Sequence, residues 1–138
     1  MTKELWINLP VKDVKKSREF FTKIGFIQNT HFPETEQMSS VFAGTKSIVI
    51  MLCAEPVFQG FSQNKIADTK QSTEVLFSFD AESRDEVDEL AEKVTAAGGN
   101  VFAKPGENQG WMYGCAFTDP DGHRWNVLHM DMSKMPKG

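Results

Sequence analysis

The sequence is poor in the residues that carry metal, redox and hydrolytic chemistry. Its 138 residues include two cysteines, three histidines and one tyrosine. Cys53 and Cys115 lie far apart with no CxxC spacing, which argues against a structural zinc site built on cysteine. The chain opens on strand-like residues rather than on a charged leader followed by an apolar segment. In that setting two free thiols are expected rather than a disulfide staple. No apolar stretch reaches the roughly 20 residues that a membrane-spanning helix needs. Basic residues are scattered, the longest run being Lys15-Lys16, and the net charge is −4. A phosphate-binding surface gathers its cations on one face, so nucleic acid is not an expected partner. No membrane partner is expected either, and the expected location is cytoplasmic. The glycines of the 106–114 stretch form no GxGxxG pattern and open no helix, which excludes a nucleotide-phosphate loop. His123 and His129 are six apart on one expected strand, about 20 Å by strand rise, and cannot share a metal. His31 falls near a strand end. None of the three histidines forms a triad pattern with Ser or Cys.

What is abundant is phenylalanine, with 11 copies, in a chain that is 40% hydrophobic and 25% charged. That balance describes a globular domain whose bulky payload needs enclosure. Residues 5–11 alternate, with Leu5, Ile7, Leu9 and Val11 on one face and Trp6, Asn8 and Pro10 on the other. Asp13 is placed to cap a helix running to about Ile24, with Val14, Phe20, Phe21 and Ile24 as its apolar side and Gly25 at its end. Strands are expected over 26–31, 39–43 and 47–54, with a hairpin turn at Gly44, Thr45 and Lys46. Residues 55–72 read as a long irregular connection with a short helix near 64–69. Phe58 and Phe61 lie in it.

The same order then recurs. Residues 74–79 form a strand, with Val75, Phe77 and Phe79 on one face and Glu74, Leu76 and Ser78 on the other. Ser83 and Glu86 have capping-box spacing, and Val87, Leu90, Ala91 and Val94 form a helical stripe closed by Gly98 and Gly99. Strands follow near 101–103, 113–118 and 123–130, the last two joined by Asp119-Pro120-Asp121-Gly122. The fold class is therefore α+β: two βαβββ modules, at about 1–55 and 73–132 with a linker at about 56–72, forming a curved, mostly antiparallel sheet around a cleft with helices outside. Trp6 and Glu74 open equivalent strands in this reading.

A strand ending in Val11-Lys12-Asp13, a helix carrying Ser17 to Phe21, and Ile24-Gly25-Phe26 together resemble the opening of the glyoxalase/bleomycin-resistance/dioxygenase superfamily, also called vicinal oxygen chelate. Residues 117–125, Phe-Thr-Asp-Pro-Asp-Gly-His-Arg-Trp, resemble its final hairpin. Ser72-Thr73-Glu74-Val75 before a capped helix fits its second module, so the resemblance spans nearly the whole chain. It implies a homodimer, with modules pairing within one chain or across two, and a cleft in which metal-dependent members hold one divalent cation. It assigns the four ligand positions to Trp6, Met51, Glu74 and Asn126. Tryptophan offers no lone pair, a thioether suits soft metals, and an amide carbonyl is weak, which leaves Glu74 as the single good donor. A divalent metal cofactor is therefore disfavoured.

The residues themselves point to a cleft of mixed character. Trp6 and Met51 supply apolar area, while Asn8, Ser78 and Asn126 supply hydrogen-bonding groups, a lining suited to an organic molecule with a few polar handles. Trp111, in the 106–114 loop leading into the strand expected at 113–118, is a further candidate contact. Glu74 is the candidate general base if an apolar cleft raises its pKa; the competing reading is a water-facing carboxylate at a strand end. Trp6 either stacks on a planar ligand or fills the volume that a metal centre takes in relatives. Asn8 and Asn126 either orient a ligand or close a polar cluster with Glu74. Three functions fit: a small-molecule binder without the standard metal, a metal-dependent lyase, isomerase or dioxygenase, and an interaction protein whose cleft is filled by its own side chains.

Overall fold

The computed structural model describes residues 1–45 and 48–136. The chain divides into two compact units, Met1–Ser72 and Thr73–Gly138. Each carries a four-stranded mixed sheet with the same plan: the first strand lies at one edge, parallel to the last, and the remaining neighbours pair antiparallel.

In the first unit, β1 (Trp6–Val11) leads into α1 (Val14–Lys23), followed by β2 (Ile27–Gln28), β3 (Met38–Ala43) and β4 (Ile48–Ala54). The side chain of Asp13 accepts from the Lys16 N–H at 3.0 Å and caps α1. At the other end Gly25 has φ of +113°, and the Gly25 and Phe26 N–H groups bond back to Thr22 and Phe21. This closing motif needs a left-handed residue at that point, and glycine meets the need without a Cβ clash. Phe26 then stacks on Phe21, with ring centroids 5.5 Å apart, so the cap is also a core contact. Val14, Phe20 and Phe21 bury against the face of the sheet that carries Leu9, Val11, Val41, Ile50 and Leu52. Each fully buried side chain of this size contributes about 1.5–3 kcal/mol.

The second unit repeats the scheme with β5 (Leu76–Asp80), α3 (Arg84–Ala96), β6 (Asn100–Asn108), β7 (Met112–Thr118) and β8 (Arg124–Met130). Ser83 Oγ accepts from the Glu86 N–H, and the Glu86 carboxylate accepts from the Glu82 N–H, one residue ahead of the reciprocal bond of a standard capping box. Gly98 ends α3 as Gly25 ends α1, with φ of +100°. Beneath α3 lies an aromatic cluster: Trp125 contacts Phe77, Phe79 and Phe117 at 4.8–6.4 Å between centroids.

The structure departs from the sequence reading in four places. First, the 55–72 connection holds a helix, α2 (Glu55–Ser62), whereas residues 64–69 are not helical. Pro56 fits the first turn, where no N–H is needed, and Gln63 in the left-handed region stops the helix. Second, β1 begins at Trp6 and leaves Leu5 exposed; β2 is only two residues long. Third, β5 begins at Leu76, so Glu74 lies in a bend before it, and Val75 is exposed rather than packed under α3. Fourth, β6 is longer than expected because its pairing with β7 continues through two register shifts to Asn108. Of the expected hairpin turn at Gly44 to Lys46 and the strand start at Ser47, Lys46 and Ser47 lie outside the described residues.

Candidate functional site

Each sheet has one face under its first helix and one face turned away from it. In the first unit the ladder places Trp6, Asn8 and Pro10 beside Val49, Met51 and Cys53 on the second of these faces. The two ends of this face differ. Met51 is 9% exposed and packs with Val49 and Cys53 against Met38, Phe42, Val57 and Phe58, the last two brought by α2. Trp6, at the start of β1, is 55% exposed. Asn8 is exposed, and its Oδ1 stands 3.8 Å from the Cys53 thiol. The coverage of Met51 by α2 had a sequence signal: Val57, Phe58 and Phe61 fall at helical spacing directly after a proline suited to a first turn.

In the second unit the matching face carries Leu76 and Ser78 from β5, Arg124, Asn126 and Leu128 from β8, and Ala116 and Thr118 from β7. Asn126 Nδ2 donates to Ser78 Oγ at 3.4 Å. Leu76, which opens β5 as Trp6 opens β1, is 54% exposed. The polar partners are therefore Asn8 with Cys53 and Asn126 with Ser78, and neither bond involves Glu74. Glu74 is exposed, four residues before the Ser78 that pairs with Asn126. Trp111 precedes β7 in the turn after Gln109 and Gly110; its indole N–H is shielded from solvent and has no hydrogen-bond partner among the described residues. The Trp111 carbonyl accepts from the Asp131 N–H.

The remaining reactive groups are held in structural roles. Burial pushes the Cys53 thiol up, and the Cys115 thiol up to about 11, so both stay protonated at neutral pH and are poor nucleophiles or soft-metal ligands. His129 donates from Nδ1 to the Ala81 carbonyl and faces α3. The ring of His31 stands edge-on to Phe42. Asp119 is buried under the final hairpin and accepts from the Asp121 and His123 N–H groups and from the Trp125 indole. Its burial raises its carboxyl above the usual range, while His123 and the indole pull the other way.

The sequence model of the Glyoxalase/Bleomycin resistance protein/Dioxygenase superfamily matches residues 5–127. The chain belongs to this superfamily. A hypothetical protein from S. aureus shares 34% identity over 93% of this chain and 94% of its own, with a TM-score of 0.80. A glyoxalase/bleomycin resistance protein/dioxygenase family enzyme from Burkholderia phytofirmans PsJN aligns at 17% identity, covering 91% of this chain and 97% of its own, with a TM-score of 0.77. Lactoylglutathione lyase from Agrobacterium tumefaciens aligns at 18% identity over 93% of each chain, with a TM-score of 0.66. The last two likenesses establish the fold alone. No curated protein matches the sequence.

Superfamily membership brings the question of a metal, and the donor set answers it. Of the four positions that the resemblance assigns to ligands, Trp6 has no lone pair, Met51 is a thioether packed among hydrophobic side chains, and Asn126 offers only a weak amide carbonyl. Glu74 alone is a good donor for a hard or borderline ion. Among the described residues no three His, Cys, Asp or Glu side chains gather as a metal-holding group. The residues present do not fit the standard divalent cation.

Proposed function

We propose that this chain is a glyoxalase-superfamily protein that binds a small organic molecule on its helix-free sheet faces without the standard divalent metal. The observation that carries this reading is the pair of large apolar side chains, Trp6 and Leu76, left half-exposed at the start of equivalent strands beside hydrogen-bonding groups. Trp6 offers a planar surface for stacking. On the first unit's face Asn8 would fix a ligand's orientation beside Trp6, and on the second unit's face Ser78 and Asn126 would do so beside Leu76. Covering one half-exposed aromatic side chain is worth about 1–2 kcal/mol, and each hydrogen bond about 0.5–1.5 kcal/mol. A few such terms, less the cost of association, support millimolar to micromolar affinity.

The alternative, a metal-dependent lyase, isomerase or dioxygenase, rests on the fold, and the donor set disfavours it. A metal-free reaction with Glu74 as general base belongs to the same proposal as a further step, and Glu74→Gln tests it: turnover must vanish while binding persists. A homodimer and a cytoplasmic setting complete the proposal, the first open to light scattering.

The decisive experiment is a ligand-observed NMR screen of small aromatic and aliphatic compounds against the full chain, repeated on Trp6→Ala. Binding weakened about tenfold or more in the variant supports the reading. Hits that bind both proteins equally, or a screen without hits, overturn it.

A further inference from the structure

Among the described residues, one arginine of the second unit has no carboxylate within ion-pair distance. Arg124 opens β8 on the helix-free face, between Leu76 of β5 and Thr118 of β7 in the ladder. Its Nε is shielded from solvent and has no hydrogen-bond partner among the described residues. Arg18 pairs with Glu34, Arg84 with Glu107 and Lys134 with Asp131, and Arg124 belongs to none of these ion pairs. The acidic residue that β5 contributes to this face, Asp80, stands opposite Leu128, four residues further along β8. In a chain of net charge −4, a partly enclosed guanidinium with no carboxylate paired to it among the described residues is an unspent binding group.

The guanidinium is also held in position. Its Cζ lies 4.4 Å from the centroid of the Phe102 ring. Phe102 sits at a register shift of β6: Val101 pairs with Phe117 and Ala103 with Ala116, so Phe102 is the extra residue of a bulge. Following Val101, which stands opposite the core residue Phe117, Phe102 takes the helix-free face, and its 44% exposed ring lies under the cation. Cation–π contact fixes the plane of the guanidinium while leaving its N–H edges free to bind. Two residues along β8, Asn126 donates to Ser78 on the same face.

We propose that Arg124, set on Phe102, is an anion subsite that selects small organic acids: it would take the ligand's carboxylate, with Ser78 and Asn126 receiving a neighbouring polar group. This deepens the small-molecule reading above and rests on it. Arg124 would act by two parallel N–H bonds to the two carboxylate oxygens, which a neutral amide of the same shape cannot accept in kind.

The test uses the isotope-labelled full chain and two probes of matched shape, benzoate and benzamide, followed by chemical-shift perturbation. Benzoate is expected to shift the Arg124, Asn126 and Ser78 amides at millimolar concentration and to bind about tenfold more tightly than benzamide, the factor typical of one charge-assisted pair. Arg124→Gln should erase that preference, Arg124→Lys should keep part of it, and Arg18→Gln should leave it unchanged. Should Arg124→Gln fail to fold, the wild-type preference and the Arg124→Lys variant decide. Equal binding of the two probes, a preference that survives Arg124→Gln, or no benzoate binding overturns the subsite. If benzamide and other neutral compounds still bind in a Trp6-dependent way, the small-molecule reading stands and only the acid selectivity falls. If nothing binds, both fall.

Discussion

Removing the Asp119 carboxylate should destabilise the second unit more than any other single polar change. Asp119 is 4% exposed. One of its oxygens accepts from the Asp121 N–H at 2.9 Å and the His123 N–H at 3.1 Å, tying the turn; the other accepts from Trp125 Nε1 at 3.1 Å, tying the turn to the core. Asp119→Ala leaves three donors without that acceptor. The two backbone groups lie at a partly exposed turn and regain water, at about half the full penalty. The indole of Trp125 is buried and does not. An unsatisfied buried donor costs about 1–3 kcal/mol, so the total comes to about 3–5 kcal/mol. Asp119→Asn keeps the oxygen that holds the turn and sets an amide N–H against the indole N–H, for about 2 kcal/mol. Urea denaturation at constant m-value measures both. Trp125→Phe removes the opposing donor, so in the double variant Asp119→Asn should cost about 1–2 kcal/mol less than in wild type. A loss below about 1 kcal/mol for Asp119→Ala, or additivity in the cycle, would refute the account of Asp119 as the clamp of the final hairpin.

Other perturbations read different parts of the structure. Gly114→Ala should lower stability by about 2–4 kcal/mol, because the new Cβ would collide with the Val127 carbonyl oxygen and come within 2.8 Å of Leu128 Cδ2; thermal unfolding measures it. Glu34→Gln tests the pair in which the Arg18 guanidinium holds the Glu34 carboxyl below its usual 4.5. The wild-type advantage, about 0.5–1 kcal/mol at low salt, should be present above pH 4.5 and disappear as the pH falls through the lowered folded value. An advantage that grows on acidification would contradict the sign. Phe117→Ala should cost about 3–5 kcal/mol in urea unfolding, since Phe117 is fully buried between Phe79 and Trp125. Trp6→Ala, by contrast, should change stability by less than about 1 kcal/mol, because its ring is half in water already.

The fold was legible because its signals are local and repeated. Asp13 and Ser83 as caps, Gly25 and Gly98 as left-handed stops, and the alternation of Leu9 and Val11 or Phe77 and Phe79 each act through nearest neighbours. They mean the same thing in both halves. The misreadings arose where a longer-range choice decides between two local options. Residues 55–62 include Gly60 and make only eight residues, too few to hold a helix on their own. The helix forms because Val57 and Phe58 find Met51 and Cys53 to cover. Phe102 likewise carried no sign of its bulge, because a register shift belongs to the pairing of two strands and not to either one.

The same distinction explains why the site was only half readable. Alternation told which face of a strand Trp6, Asn8, Ser78 and Asn126 occupy, and the ladders agree on all four. It could not tell where the strand starts. Setting Glu74 as the first residue of β5 made it the counterpart of Trp6 and the natural centre of any chemistry. The strand in fact starts at Leu76, so an apolar side chain takes the place opposite Arg124, and Glu74 moves out to an exposed bend. That two-residue displacement preserves parity, which is why the pattern gave no warning. It shifts the chemical weight of the face from a carboxylate toward a guanidinium. A face built around Glu74 would attract cations or protons. A face built around Arg124 attracts anions, and the benzoate and benzamide pair measures which description holds.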